Sequence, residues 1–488
     1  MKRGTKRIGA ALLALACALL GLLGFVGCKK PTKSYTRYEI TAEYAPENRT
    51  LAGTAKVTFE NGGDGAVSLL KFRLAPNAYR KDALYKPVST ALHAAAYYDG
   101  ESYGEMVISS VHGAKSWEVM GDDENILYVY LPETLYQGDR VVLDIGFLTK
   151  LAAVNHRTGV SKKTVNLGNF YPTLCGVKNG GFYETAYYAE GTPFYTNTAD
   201  YSLRLTLPKD YVVAVTGGSV VERTLESKKV CAASCAGARE FALTLSRAYR
   251  VLEKQVGDNE LAYYYYADEK PQATLDAAAQ AFAYYENTFG TYPYRDYAVA
   301  ETGLCLDYAA YSGLLFLSDS LTGAARTAAV AEGIARQWWG ETVGSDNLEN
   351  GWQSEGLAAY SAACFFDRHA DYGVRRDDLV AQSLKEYRSY YDVYGSVLGL
   401  TDTRMTKHLS EFVGGYEYRC IARDKAVVMF DTLRKSVGDK KFFAALRRYY
   451  GANRFAMAGV GTLVGAFEKS GVDAHGFFDG FLSGKEIL

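Results

Sequence analysis

Histidine and surplus positive charge are both scarce in this chain. Six histidines are spread over 488 residues, and no His-x-x-x-His, Cys-x-x-Cys or Gly-x-Ser-x-Gly pattern occurs. Lysine and arginine together number 54, against 55 aspartates and glutamates, so the composition gives no excess of positive charge for a nucleic-acid-binding surface. These absences exclude nucleic acid as a partner and remove the commonest sequence signatures of a histidine, cysteine or serine active site.

Cysteine gives no sign of a disulfide framework. Of the eight cysteines, Cys17 and Cys28 lie in the N-terminal segment. Cys231 and Cys235 are the closest remaining pair, but four residues of extended chain separate them by about 13 Å, which is too far for a disulfide. We interpret the six cysteines beyond Cys28 as small buried hydrophobic residues.

A long apolar run occurs near the start of the chain. Residues 8–26 follow a basic stretch and lead into Gly27-Cys28. This pattern predicts a lipoprotein signal peptide over residues 1–27, lipidation of Cys28 and a short tether over residues 28–35. The run could instead stay uncleaved as a membrane anchor. Either outcome places the body of the protein outside the cytoplasmic membrane of a bacterium and attaches it to that membrane.

The remaining chain changes character once. Residues 36–254 consist of short alternating runs such as "YEITAEY" and "DRVVLDIGF", broken by glycine-rich turns, which predicts an antiparallel β domain. Residues 255–488 show apolar residues at helical spacing, with helices expected over residues 324–339 and 353–368. Two short runs, "YAVAET" and "GLLFLS", predict a small sheet beside these helices. The fold class is therefore α+β with more than one domain.

Several longer stretches carry a family resemblance. "RYEITAEYAPENRTLAGTAKVTFEN", "LLKFRLAPNAY", "NFYPTL", "GTPFYTNTADYSLRLTLPKDYVVAVTG" and "NTFGTYPY" resemble the membrane-alanyl aminopeptidase family of zinc metallopeptidases, the gluzincins that include aminopeptidase N and leukotriene hydrolase. The resemblance covers nearly all of residues 36–488. It implies a β-saddle domain followed by a thermolysin-like, mainly helical domain.

The same resemblance implies where a zinc site would lie. In this family His-Glu-x-x-His on one helix supplies two zinc ligands and the general base, and a glutamate on the next helix supplies the third ligand. The stretch Gln337-Trp338-Trp339-Gly340 is similar to the family's sequence after the second histidine. In that register the two histidines fall on Glu332 and Arg336, and the base falls on Gly333. Only the third ligand is kept, as Glu355.

Two further family positions are changed. The glutamate that holds the substrate amine would fall on Ala310, and the transition-state tyrosine would fall on Arg423. Five of six functional positions are thus substituted, so we expect no intact catalytic residue and no metal. Zinc would be a cofactor only if Glu332 and Glu355 served as atypical ligands. The cleft that the resemblance implies would be lined by Glu332, Arg336, Glu355, Arg423, Tyr311 and Trp352.

The substituted residues suggest a paired cluster of charges. Glu332 and Arg336 are four residues apart with the acid first, which favours an ion pair on one helix face, and Glu355 and Arg423 are expected beside them. The resulting expectation is a membrane-anchored lipoprotein with a peptidase fold, catalytically inactive, that binds peptide or protein in its cleft. An active metallo-aminopeptidase with irregular ligands and a scaffold subunit of a membrane assembly are the alternatives.

Overall fold

The computed structural model describes residues 36–399 and 401–488. The expected signal peptide, Cys28 and the tether lie outside the described residues. Within the two described ranges, no helix is both long enough and apolar enough to cross a membrane.

The first half of the described chain is built mainly of strands. Its apolar residues alternate with polar ones, and in a strand this alternation places the apolar side chains on one face, toward a shared core. In β1, for example, Tyr38, Ile40 and Ala42 are buried while the residues between them are exposed. The strands are β1 Thr36–Ala45, β2 Thr50–Glu60, β3 Val67–Arg73, β4 Glu105–His112, β5 Ser116–Met120, β6 Ile126–Leu135, β7 Arg140–Lys150, β8 Thr158–Val160, β9 Val165–Gly168, β10 Thr173–Leu174, β11 Val177–Lys178, β12 Gly181–Phe182, β13 Ala199–Pro208, β14 Val212–Val215, β15 Val221–Leu225, β16 Lys228–Ala238 and β17 Ala242–Ser246. The short helix α1, His93–Ala96, and 3₁₀ turns at Ala75–Tyr79 and Thr90–Leu92 lie among them.

These strands form one large sheet and three smaller ones. The large sheet has the order β15-β16-β13-β1-β2-β7-β4, and the others are β10-β3-β6-β5, β14-β17-β9-β8 and the hairpin β11-β12. Every pairing in the large sheet is antiparallel except that of β1 with β13, where Tyr38 lies opposite Tyr201 in parallel register.

The second half surrounds a five-stranded sheet with helices. The sheet has the order β18-β19-β20-β22-β21, which leaves β21 at one edge. Its strands are β18 Arg250–Val256, β19 Asn259–Tyr265, β20 Asp296–Thr302, β21 Tyr308–Tyr311 and β22 Leu314–Ser318. The helices are α2 Pro271–Phe289, α3 Gly323–Ala335, α4 Gly351–Arg368, α5 Arg376–Leu398, α6 Gly415–Tyr418, α7 Lys425–Val437, α8 Asp439–Asn453, α9 Val460–Glu468 and α10 His475–Leu482, with 3₁₀ turns at Ala370–Tyr372 and Leu409–Glu411 and a π-helical segment at Arg419–Asp424. The expected α+β, multidomain fold class is confirmed.

The sheet of the second half begins earlier than the expected division at residues 254 and 255. Strand β18 pairs with β19, so that Leu252 lies opposite Tyr263, and the division falls inside β18. The hydrophobic core is continuous between the halves, since Phe241 and Trp338 belong to the same cluster of buried residues. The domain limits 36–254 and 255–488 stay a prediction.

Arg239 links the two halves directly. Its buried side chain lies directly after β16, near the end of the β-rich half. It donates hydrogen bonds to the carbonyl oxygens of Thr196 at 2.7 Å, Glu341 at 3.2 Å and Ala456 at 3.2 Å. Gly344 lies flat against the guanidinium, and a β-carbon there would be 2.4 Å from the Arg239 Cζ atom. The guanidinium therefore satisfies backbone groups from both halves at once.

Helix α3 is fixed at both ends. Near its start, Arg326 forms ion pairs of 2.9 Å with Glu301 of β20 and with Asp268. The helix ends at Ala335 rather than at residue 339, because the N–H groups of Gln337 and Trp338 turn back to carbonyls three residues earlier. The Gln337 side chain then bonds the backbone of residues 311 and 313. The end of α3 is thereby held against β21.

Candidate functional site

Four of the sequence-predicted site residues meet at the C-terminal end of α3. Glu332 lies in its last turn and Arg336 directly follows its end, while Glu355 lies in the second turn of α4. Arg423 comes from the π-helical segment Arg419–Asp424, which runs directly into α7. π-Helical segments are rare in proteins, and those that occur are frequently found at functional sites.

Glu332 pairs with Arg423 through two hydrogen bonds. Arg423 donates from Nε to Oε1 at 3.0 Å and from Nη2 to Oε2 at 2.6 Å, and the Tyr308 hydroxyl donates to Oε1 at 3.2 Å. Only 10% of the Glu332 side chain and 29% of the Arg423 side chain are exposed. Burial acts to raise the pKa of Glu332, but the Arg423 guanidinium outweighs burial and leaves that pKa below its ordinary value. The carboxylate is therefore charged and fully paired at neutral pH.

Arg336 pairs with Glu355 instead of with Glu332. Its Nη1 lies 3.1 Å from Glu355 Oε1 and donates to the Ser354 hydroxyl at 2.9 Å, while Nη2 donates to the Thr192 hydroxyl at 3.3 Å. Burial acts to lower the pKa of Arg336, but the Glu355 carboxylate and other anionic neighbours raise it above its ordinary value. Among the described residues there is no direct ion pair between Glu332 and Arg336. The charges form two separate pairs.

The crossed pairing has a geometric reason. Arg423 approaches Glu332 in the two-pronged arrangement that is strongest for a guanidinium and a carboxylate. Arg336 lies beyond the last turn of α3 and points toward α4, where Ser354 and Glu355 are adjacent in sequence. The favourable spacing of four residues within one helix is worth only about 0.2–0.5 kcal/mol, so these longer-range contacts prevail over it.

The position that corresponds to the general base is closed by packing. Gly333 lies directly above β22, and a β-carbon at this position would be 2.5 Å from Leu315 Cδ1 and 2.9 Å from its Cδ2. Leu315 is fully buried in the sheet. A glutamate at position 333 would therefore require movement of the helix or of Leu315.

The remaining predicted residues, Ala310, Tyr311 and Trp352, take no part in the two ion pairs. On β21, Tyr308 and Ala310 face the site, while Tyr311 points to the opposite, buried face. Trp352 is fully buried and its ring packs against Phe430 and Phe478. Their assignment to a ligand-binding cleft stays a prediction.

Some contacts of the site were not identified from sequence. Tyr308 precedes Ala310 by two residues, so strand periodicity alone places both on one face. Ser354 and Asp424 are sequence neighbours of Glu355 and Arg423, and Asp424 accepts a hydrogen bond of 2.8 Å from Arg423. Thr192 carries no local signal, because it reaches Arg336 only through the fold.

The residues of this site do not fit a zinc ion. Both carboxylates are neutralised by arginine, Glu355 by Arg336 and Glu332 by Arg423, and no imidazole among the described residues lies beside them to complete a zinc site. No group of three or more histidine, cysteine, aspartate or glutamate residues suited to a metal occurs in the part of the chain that the structure describes. The histidines make their contacts elsewhere, as with His156 and Tyr79, His369 and the Phe365 carbonyl, and His408 and Ser410.

Comparisons with known proteins identify the fold. No family model matches the chain, and no curated protein matches it. The chain is similar to the M1 zinc metallopeptidase from Deinococcus radiodurans, with a TM-score of 0.66 and 15% identity over 95% of this chain and 97% of that one. A mutant of the Deinococcus radiodurans M1 enzyme bound to a Tyr-Ser-Ala substrate gives a TM-score of 0.64 and 16% identity, over 93% and 94%. A two-domain M1 metallopeptidase mutant bound to L-tryptophan gives 0.62 and 16%, over 93% and 95%. This chain therefore has the fold of the M1 zinc metallopeptidases.

Proposed function

We propose that this chain uses the M1 metallopeptidase fold to bind peptide or protein without hydrolysing it. The observation that carries the proposal is the pair of ion pairs at the end of α3. Arg423 and Arg336 bind the two carboxylates that a metal would need, Glu332 and Glu355. Displacing either guanidinium would leave an uncompensated buried charge, which is costly.

The packing around Gly333 supports the same proposal. Hydrolysis by a metallopeptidase needs a general base within hydrogen-bond reach of the attacking water. Glycine offers no such group, and a larger side chain at position 333 would have to displace Leu315.

Peptide binding is supported by the open edge of the five-stranded sheet. Strand β21 has a neighbour on one side only, and an edge strand offers N–H and C=O groups with which an extended peptide can pair. Ala310 and Tyr308 present their side chains beside the charged pairs at this edge. A structural neighbour with the same fold binds a Tyr-Ser-Ala substrate, so the fold can accommodate a short peptide.

The test of this function uses the purified mature protein. Metal content and hydrolysis of a panel of amino-acyl substrates are measured together, before and after chelation. We expect no stoichiometric zinc and no turnover. Stoichiometric zinc with turnover that a chelator abolishes would establish the alternative, a metallo-aminopeptidase with irregular ligands. Absence of both turnover and peptide binding would favour the scaffold alternative.

A restored variant provides the matched comparison. Glu332→His, Gly333→Glu and Arg336→His together recreate the metal-binding sequence, and adding Leu315→Ala makes room for the new glutamate. We expect zinc to bind only in the variant that carries all four changes. Catalysis should still be absent, because Ala310 and Arg423 are unchanged. Equal zinc binding by the three-residue variant would contradict the role of Leu315.

We also propose that the protein is a lipoprotein anchored through Cys28. The support is the sequence alone, a basic start followed by an apolar run that ends at Gly27-Cys28. Mass spectrometry of the N-terminal peptide from membranes should find diacylglycerol on Cys28, and Cys28→Ala should prevent this modification. An unmodified peptide that reads through Gly27-Cys28 would support the uncleaved anchor instead.

A further inference from the structure

Arg157 is a cation that lacks a carboxylate partner. Its Nη2 donates to the carbonyl oxygen of Gly191 at 2.8 Å, and its Nη1 is buried without any hydrogen-bond partner. Arg157 forms no ion pair with any residue in the described ranges 36–399 and 401–488. Arg336 contacts the same loop through Thr192, but it is paired with Glu355. Arg157 as a whole is half-buried, but a guanidinium nitrogen that is buried without an acceptor is costly.

Two tyrosine hydroxyls in the same region also lack partners. Tyr311 is 2% exposed and Tyr418 is 8% exposed, and the Oη atom of each is buried without a hydrogen bond. Tyr418 Oη lies against Gly191, where a β-carbon would be 2.6 Å away, and Gly191 is the residue that Arg157 binds. Tyr311 Oη lies against Gly168, whose N–H donates to the Arg157 carbonyl oxygen. Both hydroxyls therefore contact residues that Arg157 bonds.

The carboxylates nearest to this region are already engaged. Burial raises the pKa of Glu190, and hydrogen bonds with Ser89 and the Gly415 backbone and the charge of Arg157 act against that rise. Arg157 and Glu190, both within the described ranges, form no ion pair, and the Glu190 Oε2 atom packs against Gly415. Glu355 is bound by Arg336. Three donor atoms thus lie in one region without an acceptor among the described residues: Arg157 Nη1 and the hydroxyls of Tyr311 and Tyr418. The rest of the Arg157 guanidinium is held by the Gly191 carbonyl and lies beside the Tyr187 hydroxyl. Such a set is complementary to the oxygens of an anion.

We propose that Arg157, Tyr311 and Tyr418 form a carboxylate-binding subsite beside the loop of residues 190–192. The planar guanidinium fork matches a carboxylate, and the two hydroxyls supply further donors. The carboxylate is the C-terminus of a bound peptide or that of a small free acid. The peptide form rests on the proposed function, and it assigns the charged end of the ligand that the protein recognises.

Conservative variants separate binding from folding. Tyr311→Phe and Tyr418→Phe each remove a hydroxyl that makes no hydrogen bond within the protein. The midpoint temperature of thermal unfolding should therefore be unchanged or slightly higher. Tyr297→Phe is the matched control, because the Tyr297 hydroxyl is also buried and unpartnered, while its ring packs against Phe282, away from Arg157. We expect the first two variants and Arg157→Gln to weaken carboxylate binding by about ten- to a hundredfold, and the control to leave it unchanged.

Calorimetric titration of the mature protein uses four probes: Tyr-Ser-Ala, its C-terminal amide, its N-acetyl form and N-acetylalanine. The proposal requires that amidation weakens binding at least tenfold while N-acetylation does not. Weakening by N-acetylation alone would overturn the subsite and leave peptide binding intact. Binding of N-acetylalanine without any peptide would support the subsite and overturn the proposed function. If no probe binds, or if the tyrosine variants bind normally, the unpartnered donors serve water only and the subsite is wrong.

Discussion

At the scale of single residues, four charged side chains lie paired at the C-terminal end of α3. Each carboxylate has its own guanidinium, and the two pairs share no hydrogen bond. Buried ion pairs contribute little net stability when complete, but removing one partner leaves a charge in a poor environment. The cost of disrupting the site should therefore depend on which residues are removed together.

A double-mutant cycle at Glu332 and Arg423 tests this independence. Arg423→Leu should lower the free energy of unfolding by about 3 kcal/mol because it isolates Glu332 and also removes a partner of the buried Asp424. The added change Glu332→Leu should restore part of the loss, the part that Glu332 causes. Chemical denaturation measures both. Lys228→Ala, which breaks the exposed pair with Glu43, is the control and should have no measurable effect. Strict additivity of the two site mutations would show that the residues are not coupled.

Arg336 gives a second prediction at the same scale. Only 5% of its side chain is exposed, so Arg336→Ala should lower the free energy of unfolding by about 3–5 kcal/mol, since Glu355 would lose its cation. Ser354→Ala, which removes one of its hydrogen bonds, should cost about 1 kcal/mol. Similar small losses in both variants would mean that water reaches the site freely.

The raised pKa of Glu341 should make the stability of the folded protein depend on pH. Burial, with the nearby Glu240 carboxylate, raises its pKa from 4.5 to about 7 in the folded protein. Because the folded protein holds this proton more tightly than the unfolded chain, the contribution is fully present below about pH 4.5 and is lost as pH rises to about 7. The loss amounts to at most about 3 kcal/mol.

The variant Glu341→Gln isolates this contribution. Unfolding free energies of the variant and the natural protein, measured between pH 5 and pH 8, should diverge as pH rises, with the variant relatively more stable at pH 8. A constant difference across that interval would show that Glu341 does not titrate there.

At the scale of elements, the contact between α3 and β22 is the most sensitive feature. Gly333→Ala places a methyl group against the fully buried Leu315. Overpacking costs about 1–3 kcal/mol, and the better helix propensity of alanine offsets up to about 1 kcal/mol. We expect a net loss in unfolding free energy of about 1–2 kcal/mol. In a background that already carries Leu315→Ala the same change should cost nothing, so an equal loss in both backgrounds would contradict the packing explanation.

The elements were more predictable from sequence than the site was. Alternation in the first half and helical spacing in the second gave the α+β class, and the neighbouring helices α3 and α4 followed from the same periodicity. The family resemblance placed Glu355 and Arg423 beside Glu332 and Arg336, but it did not give which carboxylate pairs with which guanidinium. Arg423 lies 91 residues from Glu332 and Thr192 lies 144 residues from Arg336, so only the assembled fold determines which charges meet.

At the scale of the whole molecule, Arg239 holds the two halves together. Its guanidinium binds backbone carbonyls at positions 196, 341 and 456. Arg239→Ala would leave the buried carbonyls of Thr196 and Glu341 without this donor, at a cost of about 1–3 kcal/mol for each one that water cannot reach. The Ala456 carbonyl would keep its hydrogen bond from the Gly344 N–H. Limited proteolysis should then cut between the halves sooner than in the natural protein. Arg247→Ala, which breaks an exposed ion pair with Asp210, should leave the cleavage rate unchanged.

The packing of Gly333 on Leu315 also bears on how this chain could change under selection. Any single substitution at position 333 meets Leu315 first and is disfavoured by folding before it can contribute to chemistry. A library that varies one residue at a time would therefore recover glutamate at position 333 only with a loss of stability. A smaller residue at position 315 removes that cost, so the order of mutations affects how readily position 333 can change.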